Sequence, residues 1–224
     1  LSLFFFFFIK LEHGVVYECF YQHPMGRSVR LGFLYDFLQP YQPSFFVCQG
    51  NGTTQGEPCM KGFDYQRLVI AYHGCDASVR DRVIQKGEQL KASTKTYDWL
   101  GQGIYFWEHG PARALEWAQE RKKRGKLKTP AVLGAVLHLG QCFDLLDAEY
   151  TDVLANAYPK FEQEVIEFWG DTLPKNKPLH AKDDDILLRD LDCAVVNWTI
   201  DELKKEGASF HSVRGVFQEG QAVF

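Results

Sequence analysis

Three short apolar runs alternate with two helical patterns between residues 68 and 139, and this alternation limits the folds open to the chain. The runs at 68–72, 103–107 and 131–139 have the length and the neighbouring glycines of buried strands. Residues 76–86 and 111–123 carry apolar side chains at helical spacing. Because strands and helices mix without a regular β-α-β alternation, the pattern predicts an α+β fold.

Residues that commonly start or end helices stand at the limits of both helical patterns. Asp76 has a side chain that caps helix N-termini, Gly87 suits a helix end, and Pro111 fits a first turn. Further along, the pattern predicts a long helix over 149–169 interrupted near Pro159, helices over 183–198 and 199–206, and strands over 213–217 and 222–224. The acidic run 183–185 is expected at the N-terminus of its helix.

The first sixty residues show no persistent period of either kind. The phenylalanine run at 4–8 is far shorter than the roughly 18–20 apolar residues that a membrane span needs. The chain does not begin with methionine, and the well-patterned part begins just after Met60. We therefore predict a poorly structured or misassigned segment over 1–60, with Met60 as an alternative start, and one domain over 61–224.

Charge and cysteine usage exclude several classes of protein. The net charge of −4 excludes nucleic-acid binding through bulk positive charge. The six cysteines form no C-x-x-C pair, which favours reduced thiols over a disulfide framework and indicates no metal site. Cys142 and Cys193 lie in apolar surroundings and are predicted to be small core residues. We expect an intracellular, cytoplasmic protein with no metal and no membrane partner.

Three local features carry the chemistry. His73 and Gly74 end the first apolar strand, Ser93 lies in the polar loop that follows, and a Gly-x-Gly turn at 101–103 leads into Ile-Tyr-Phe. The turn is not a dinucleotide fingerprint, because Phe106 occupies the position of the third glycine. Each feature by itself is more typical of a turn or a core residue than of a site.

In this order and spacing, the three features resemble the NAD site of PARP-like ADP-ribosyltransferases. The resemblance covers residues 68–120 well, and its most specific part is the Gly-x-Gly-Ile-Tyr-Phe string with an upstream His-Gly. It implies a split β-sheet core with flanking helices, a particular branch of that superfamily, and NAD as the substrate.

The resemblance also implies roles for single residues. The Gly74 backbone would hydrogen-bond the nicotinamide carboxamide, and Tyr105 would stack on the nicotinamide ring. His73 would orient a ribose hydroxyl, while Ser93 and Gly103 would complete the cofactor site. Such roles suit cleavage of a glycosidic bond through an oxocarbenium-like transition state. They require the rings of His73 and Tyr105 to face one shared cleft.

One further catalytic group is implied, a glutamate on a late strand that stabilises the oxocarbenium. Glu219 is the candidate, and two alternatives stay open. Glu-Gly between two short apolar runs is also the pattern of a hairpin turn. Alternatively, the matching strand lies beyond Phe224, and the sequence is truncated within the domain.

We therefore expect an NAD-dependent mono-ADP-ribosyltransferase that transfers ADP-ribose to a protein or nucleic-acid acceptor. The alternatives are a catalytically inactive module that binds NAD or ADP-ribose, and a glycohydrolase that cleaves NAD without transfer. Six of the eight residues over 121–128 are basic. This run suits a nucleic-acid contact or, more simply, the negative end of a helix dipole.

Overall fold

The computed structural model describes residues 4–11, 16–22, 28–32, 64–169, 172–183 and 185–219. The strands within these ranges are β1 (Phe4–Leu11), β2 (Val16–Gln22), β3 (Ser28–Gly32), β4 (Asp64–Asp76), β5 (Ile104–Glu108), β6 (Pro130–Asp144) and β7 (Ser212–Glu219). The α-helices are α1 (Ala77–Lys86), α2 (Pro111–Lys123), α3 (Ala148–Glu164) and α4 (Asp190–Lys205), and α3 passes into a π-helix over Val165–Trp169.

The strands form one mixed sheet in the order β3-β2-β6-β4-β5-β1-β7. Neighbours in this order pair antiparallel. The end of β6 also pairs in parallel with the start of β7, through residues 142–144 and 212–214, so the sheet returns on itself. A mainly antiparallel sheet with four helices outside it is the α+β class that the sequence predicts.

The sheet buries side chains on both of its faces. The α1 face, named after the helix that packs on it, carries Ala71 and Phe106. The α2 face carries Trp107 and Val213, together with residues of α2 and α4. Because successive residues of a strand point to opposite faces, neighbours such as Phe106 and Trp107 belong to different clusters.

The helices α1 and α2 confirm the limits predicted from their terminal residues. The Asp76 side chain accepts a hydrogen bond from the Ser78 amide at 3.0 Å, and Gly87 ends α1 in the left-handed conformation with φ of +66°. Pro111 occupies the first turn of α2. These limits are predictable because capping depends on neighbouring residues alone.

The segment over 1–60 contains strands that the sequence did not predict. β1 pairs with β5 and β7, and β2 pairs with β6, so one sheet includes strands from both sides of the boundary predicted at residue 60. Ile9 and Lys10 of β1 point to opposite faces and are both fully buried. A strand buried on both faces lacks an alternating pattern and is therefore hard to find from its period. Residues 33–60 and 222–224 lie outside the described ranges, as do the predictions made for them.

Two predictions for helices in the C-terminal half are wrong: the interruption near Pro159 and the division of the last helical region into two helices. α3 continues through Pro159, because the buried side chains of Ala157 and Phe161 on either side hold it against the core. The last two predicted helices are one helix, α4, which begins at Asp190 and continues to Lys205. Mutual backbone hydrogen bonds between Lys177 and Leu188, at 2.9 and 3.0 Å, hold Leu188 outside the helix, and the Asp183 amide closes a turn on the His180 carbonyl at 2.9 Å. Asp183 and Asp185 therefore lie before α4 rather than at its N-terminus.

Two further expectations concern the cysteine thiols and the possibility of a membrane-spanning helix. Cys142 and Cys193 are buried and free, as predicted, and so is Cys75. None of the helices in the described ranges combines the length and the apolar character that crossing a bilayer requires.

Candidate functional site

The pairing between β4 and β5 stops just before His73 and Gly74, the residues that the sequence singles out. The ladder between the two strands pairs Ala71 with Glu108 and Tyr72 with Trp107. Past this ladder, Nδ1 of His73 lies 2.7 Å from the carbonyl oxygen of Tyr105. A carbonyl oxygen only accepts, so Nδ1 carries the proton and donates. The imidazole thus joins the two strands where their backbone ladder ends. We call this break in the ladder, between β4 and β5 beside Gly74, the opening.

The backbone of Gly74 faces this opening. In an antiparallel sheet, alternate residues direct their N–H and C=O groups to opposite neighbouring strands. The Ile70 carbonyl accepts from the His109 amide at 3.0 Å, on the β5 side. Gly74 follows Ile70 by an even number of residues, in an unbroken register with β6. Its amide and carbonyl therefore point to the β5 side too, and offer a donor and an acceptor at the opening.

The missing side chain of Gly74 leaves room for helix α2. A Cβ atom at this position would lie 2.2 Å from the Ala114 carbonyl oxygen and 3.1 Å from the Trp117 ring. The resemblance explains the glycine by a close approach of NAD, whereas in the structure α2 fills this space. The half-buried Trp117 ring is consequently adjacent to the Gly74 backbone and packs on Trp107, with ring centroids 5.5 Å apart.

The rings of His73 and Tyr105 lie on opposite faces of the sheet, so the expectation of one shared cleft is wrong. His73 packs against Phe106 on the α1 face, with ring centroids 5.6 Å apart. Tyr105 belongs to the cluster on the α2 face. The cause is the two-residue period of strands. Because Tyr72 pairs with Trp107, the next residue of β4 falls on the side of Phe106.

The environment of His73 favours its neutral form. Burial lowers the pKa of His73, and the hydrogen bond with the Tyr105 carbonyl offsets only part of this effect. The imidazole is therefore uncharged at pH 7. It hydrogen-bonds the backbone carbonyl of Tyr105, which makes it a connection between β4 and β5 at the edge of the opening.

The phenol of Tyr105 holds the glycine turn in place. Its hydroxyl accepts from the Leu100 amide at 3.0 Å and donates to the Gly101 carbonyl at 2.7 Å. Gly101 has a φ of +86°, and a Cβ atom there would lie 2.3 Å from Oδ1 of Asn197. The turn therefore needs glycine both for its backbone conformation and for its contact with α4.

Ser93 and Gly103 are brought together, but their backbone groups bond each other. The amide of each donates to the carbonyl of the other, at 2.8 and 3.0 Å. The backbone amides and carbonyls of Ser93 and Gly103 are thus occupied by each other. Burial raises the pKa of Asp98, while the nearby Ser93 side chain and the charges of Lys95 and Arg121 act in the opposite direction.

Glu219 is the last residue of β7 and lies far along the sheet from the opening. Tyr105 pairs with Lys10 of β1, and Lys10 pairs with Val213 of β7. From Val213 to Glu219 the strand extends by roughly 20 Å at about 3.3 Å per residue. The structure therefore confirms the strand over 213–217 but does not bring Glu219 to the opening. The hairpin alternative involves residues 220–224, which are outside the described ranges.

Trp117, and Arg121 through its contact with the Trp117 ring, are neighbours of the opening that sequence reasoning missed. Trp117 was assigned to the apolar stripe of a helix, and Arg121 to a solvated basic run. In the structure the Arg121 guanidinium lies over the Trp117 ring, 5.0 Å from its centroid. Their spacing of four residues in a predicted helix was the available signal. The contact between Trp117 and Gly74 had none, because it joins segments distant in sequence.

A cavity of about 500 Å³ lies beside α4, on the other side of the glycine turn. Gln102, Cys193 and Asn197 line it, and His73, Gly74, Ser93, Gly103 and Tyr105 do not. Across the described ranges, no group of three or more His, Cys, Asp or Glu side chains is placed to hold a metal ion. The opening and this cavity are therefore separate features.

Comparisons of the chain with protein-family models, with curated proteins and with solved structures found no match. The fold is that of a mixed α and β protein.

Proposed function

We propose that this protein is an NAD-dependent ADP-ribosyltransferase, which releases nicotinamide and transfers ADP-ribose to a macromolecular acceptor. The observation that carries the proposal is the opening beside Gly74, where a backbone donor, a backbone acceptor and the Trp117 ring meet. The strands and the helix that surround the opening belong to the segment that resembles the NAD site of this superfamily.

A nicotinamide ring suits the groups beside Gly74 in hydrogen bonding and in charge. Its carboxamide has N–H groups to donate and an oxygen to accept, and one extended residue such as Gly74 offers the complementary pair. Its flat, positively charged ring is attracted to an aromatic face, which Trp117 supplies. Holding the ring while the glycosidic bond lengthens lowers the barrier to an oxocarbenium-like transition state.

His73 and Tyr105 then serve the site through the backbone. The His73 imidazole fixes the Tyr105 carbonyl, and so sets the distance between β4 and β5. The Tyr105 hydroxyl fixes the turn before β5. In this proposal both are positioning residues, and Trp117 replaces Tyr105 as the ring next to nicotinamide. Glu219 lies at the far end of β7 and has no role in this proposal.

A second candidate function is NAD or ADP-ribose binding without cleavage. The distance along β7 between Glu219 and the level of the opening favours it, because a ligand held by Gly74 and Trp117 would lack this carboxylate. Binding alone needs only the groups at the opening.

Two measurements on the full chain test the proposal. Calorimetric titration gives NAD affinity, and release of labelled nicotinamide, with transfer of labelled ADP-ribose to added protein or RNA, gives the reaction. We expect Trp117→Leu to weaken NAD binding by about 1–3 kcal/mol through lost stacking. Leu115→Ala, at an exposed position of the same helix, is the matched control and should leave affinity unchanged.

The outcomes separate the candidates. Release with transfer supports the transferase, release without transfer identifies a glycohydrolase, and binding without release supports the second candidate. A folded chain that neither binds NAD nor releases nicotinamide would overturn the proposal. Equal affinities of the Trp117 and Leu115 variants would remove Trp117 from the site.

A further inference from the structure

Arg121 differs from the rest of the basic run at the end of α2. It is half-buried with its guanidinium over the Trp117 ring, whereas residues 122–126 are exposed. A helix dipole accounts for exposed cations near a C-terminus, since they remain hydrated there. It does not account for an arginine whose side chain is ordered against an aromatic ring beside the opening.

The guanidinium keeps unused donor capacity. Nε of Arg121 is buried and has no hydrogen-bond partner among the described residues. Because Nε is enclosed by protein, a ligand can reach only the outer nitrogens of the guanidinium, which form no hydrogen bond or ion pair with the described residues. The acidic residues of α2 do not neutralise Arg121, because Glu116 and Glu120 lie 3.8 and 3.7 Å from the guanidinium of Arg113.

The position of Arg121 relative to Gly74 matches the layout of a dinucleotide. Trp117 touches the Gly74 position, and Arg121 lies one helical turn further along α2, a rise of about 6 Å. In NAD one ribose separates the nicotinamide ring from the first phosphate. A ring held beside Gly74 and Trp117, with its ribose directed along α2, would bring this phosphate near Arg121.

We propose that Arg121 binds the diphosphate of the dinucleotide, with its guanidinium held in place by stacking on Trp117. This inference rests on the proposed function and adds the residue that recognises the charged part of the substrate. Arginine suits the role because its planar donors match phosphate oxygens in pairs. The charge of Asp98 interacts with that of Arg121.

Calorimetric titrations with NAD, ADP-ribose and nicotinamide test the inference on the full chain. We expect Arg121→Gln to lower the affinity for NAD and for ADP-ribose by about 10- to 100-fold, the loss typical of a hydrogen bond to a charged group. The affinity for nicotinamide should stay within about twofold, because its contacts lie at Gly74 and Trp117. Retained nicotinamide binding also shows that the variant is folded.

Lys122→Gln removes the same charge from an exposed neighbour and is the control. Arg121→Lys keeps the charge but not the paired donors, and should fall between Arg121→Gln and the parent chain. Equal affinities of Arg121→Gln and Lys122→Gln for ADP-ribose overturn the inference and leave the proposed function standing. If the parent chain binds neither NAD nor ADP-ribose, the proposed function fails together with this inference.

Discussion

A single residue, Gly74, determines how closely α2 approaches the sheet. Its Cα faces the Ala114 carbonyl and the Trp117 ring, while its amide and carbonyl face the opening between β4 and β5. Any side chain would push α2 outwards and move the ring away from the backbone donor and acceptor. At the residue scale, packing and the candidate site therefore depend on the same missing Cβ.

Gly74→Ala should destabilise the fold by roughly 1–3 kcal/mol, the usual cost of overpacking, because its Cβ would lie 2.2 Å from backbone rather than from a flexible side chain. Chemical denaturation measures the change. Gly125→Asn is the control, since Gly125 has a φ of +69° that asparagine tolerates and has no atom within 4 Å of its Cβ position. A Gly74→Ala variant as stable as this control would contradict the packing of α2.

At the scale of elements, the carboxylate of Asp76 joins the end of β4, the start of α1 and the turn before β6. It accepts from the Ser78 amide at 3.0 Å, the Lys128 amide at 2.8 Å and the Thr129 amide at 3.0 Å. The hydrogen bonds from Thr129, Ser78 and Lys128 hold the pKa of Asp76 well below its usual range. One side chain thus caps a helix and ties it to the next strand.

Asp76→Ala should cost about 1–2 kcal/mol at pH 7, the range of a lost N-cap. Because the folded state lowers the pKa of Asp76, its contribution is complete above the unfolded value near 4 and is lost as the pH falls below it. Thermal or urea unfolding from pH 7 to pH 2 checks this. Asp81→Ala, in the same helix, is the control; a constant deficit of Asp76→Ala down to pH 2 would contradict the role of the charge.

At the scale of the whole molecule, a buried ionic network lies where the sheet returns on itself. The Arg214 guanidinium of β7 lies 2.8 Å from Oε2 of Glu108 in β5 and 3.1 Å from Oδ2 of Asp144 at the end of β6. All three side chains are less than a tenth exposed. The network thus links three strands, one of which, β7, pairs with β6 in parallel.

Arg214→Met should destabilise the protein by about 3–5 kcal/mol, because it leaves two buried carboxylates without their main partner. Arg67→Met is the matched control. Arg67 is 48 % exposed and lies 3.4 Å from Glu108, so its loss should cost less than about 1 kcal/mol. Urea unfolding compares the two, and adding Glu108→Gln to Arg214→Met should recover part of the loss. Similar urea midpoints for Arg214→Met and Arg67→Met would show that the network does not stabilise the place where β7 pairs with β6.

Features of the fold that depend on neighbouring residues could be predicted from the sequence, and features that depend on residues distant in sequence could not. The limits of α1 and α2 were predictable because Asp76, Gly87 and Pro111 act on their immediate neighbours. The start of α4 was not, because the pairing of Lys177 with Leu188 delays it. β1 was missed since burial on both faces removes the alternating pattern.

The residues near the candidate site were predictable as a set, and their arrangement was not. The sequence by itself determined that His73 and Gly74 lie near the end of one strand and that a glycine turn precedes the other, because strand and turn propensities are local. Only the tertiary structure decided which rings face each other. The pairing of Tyr72 with Trp107 sends the His73 and Tyr105 rings to opposite faces, and the packing of α2 brings Trp117 to Gly74. Strand register and helix packing depend on contacts between distant segments, and a shift of one residue in register exchanges the faces of a strand.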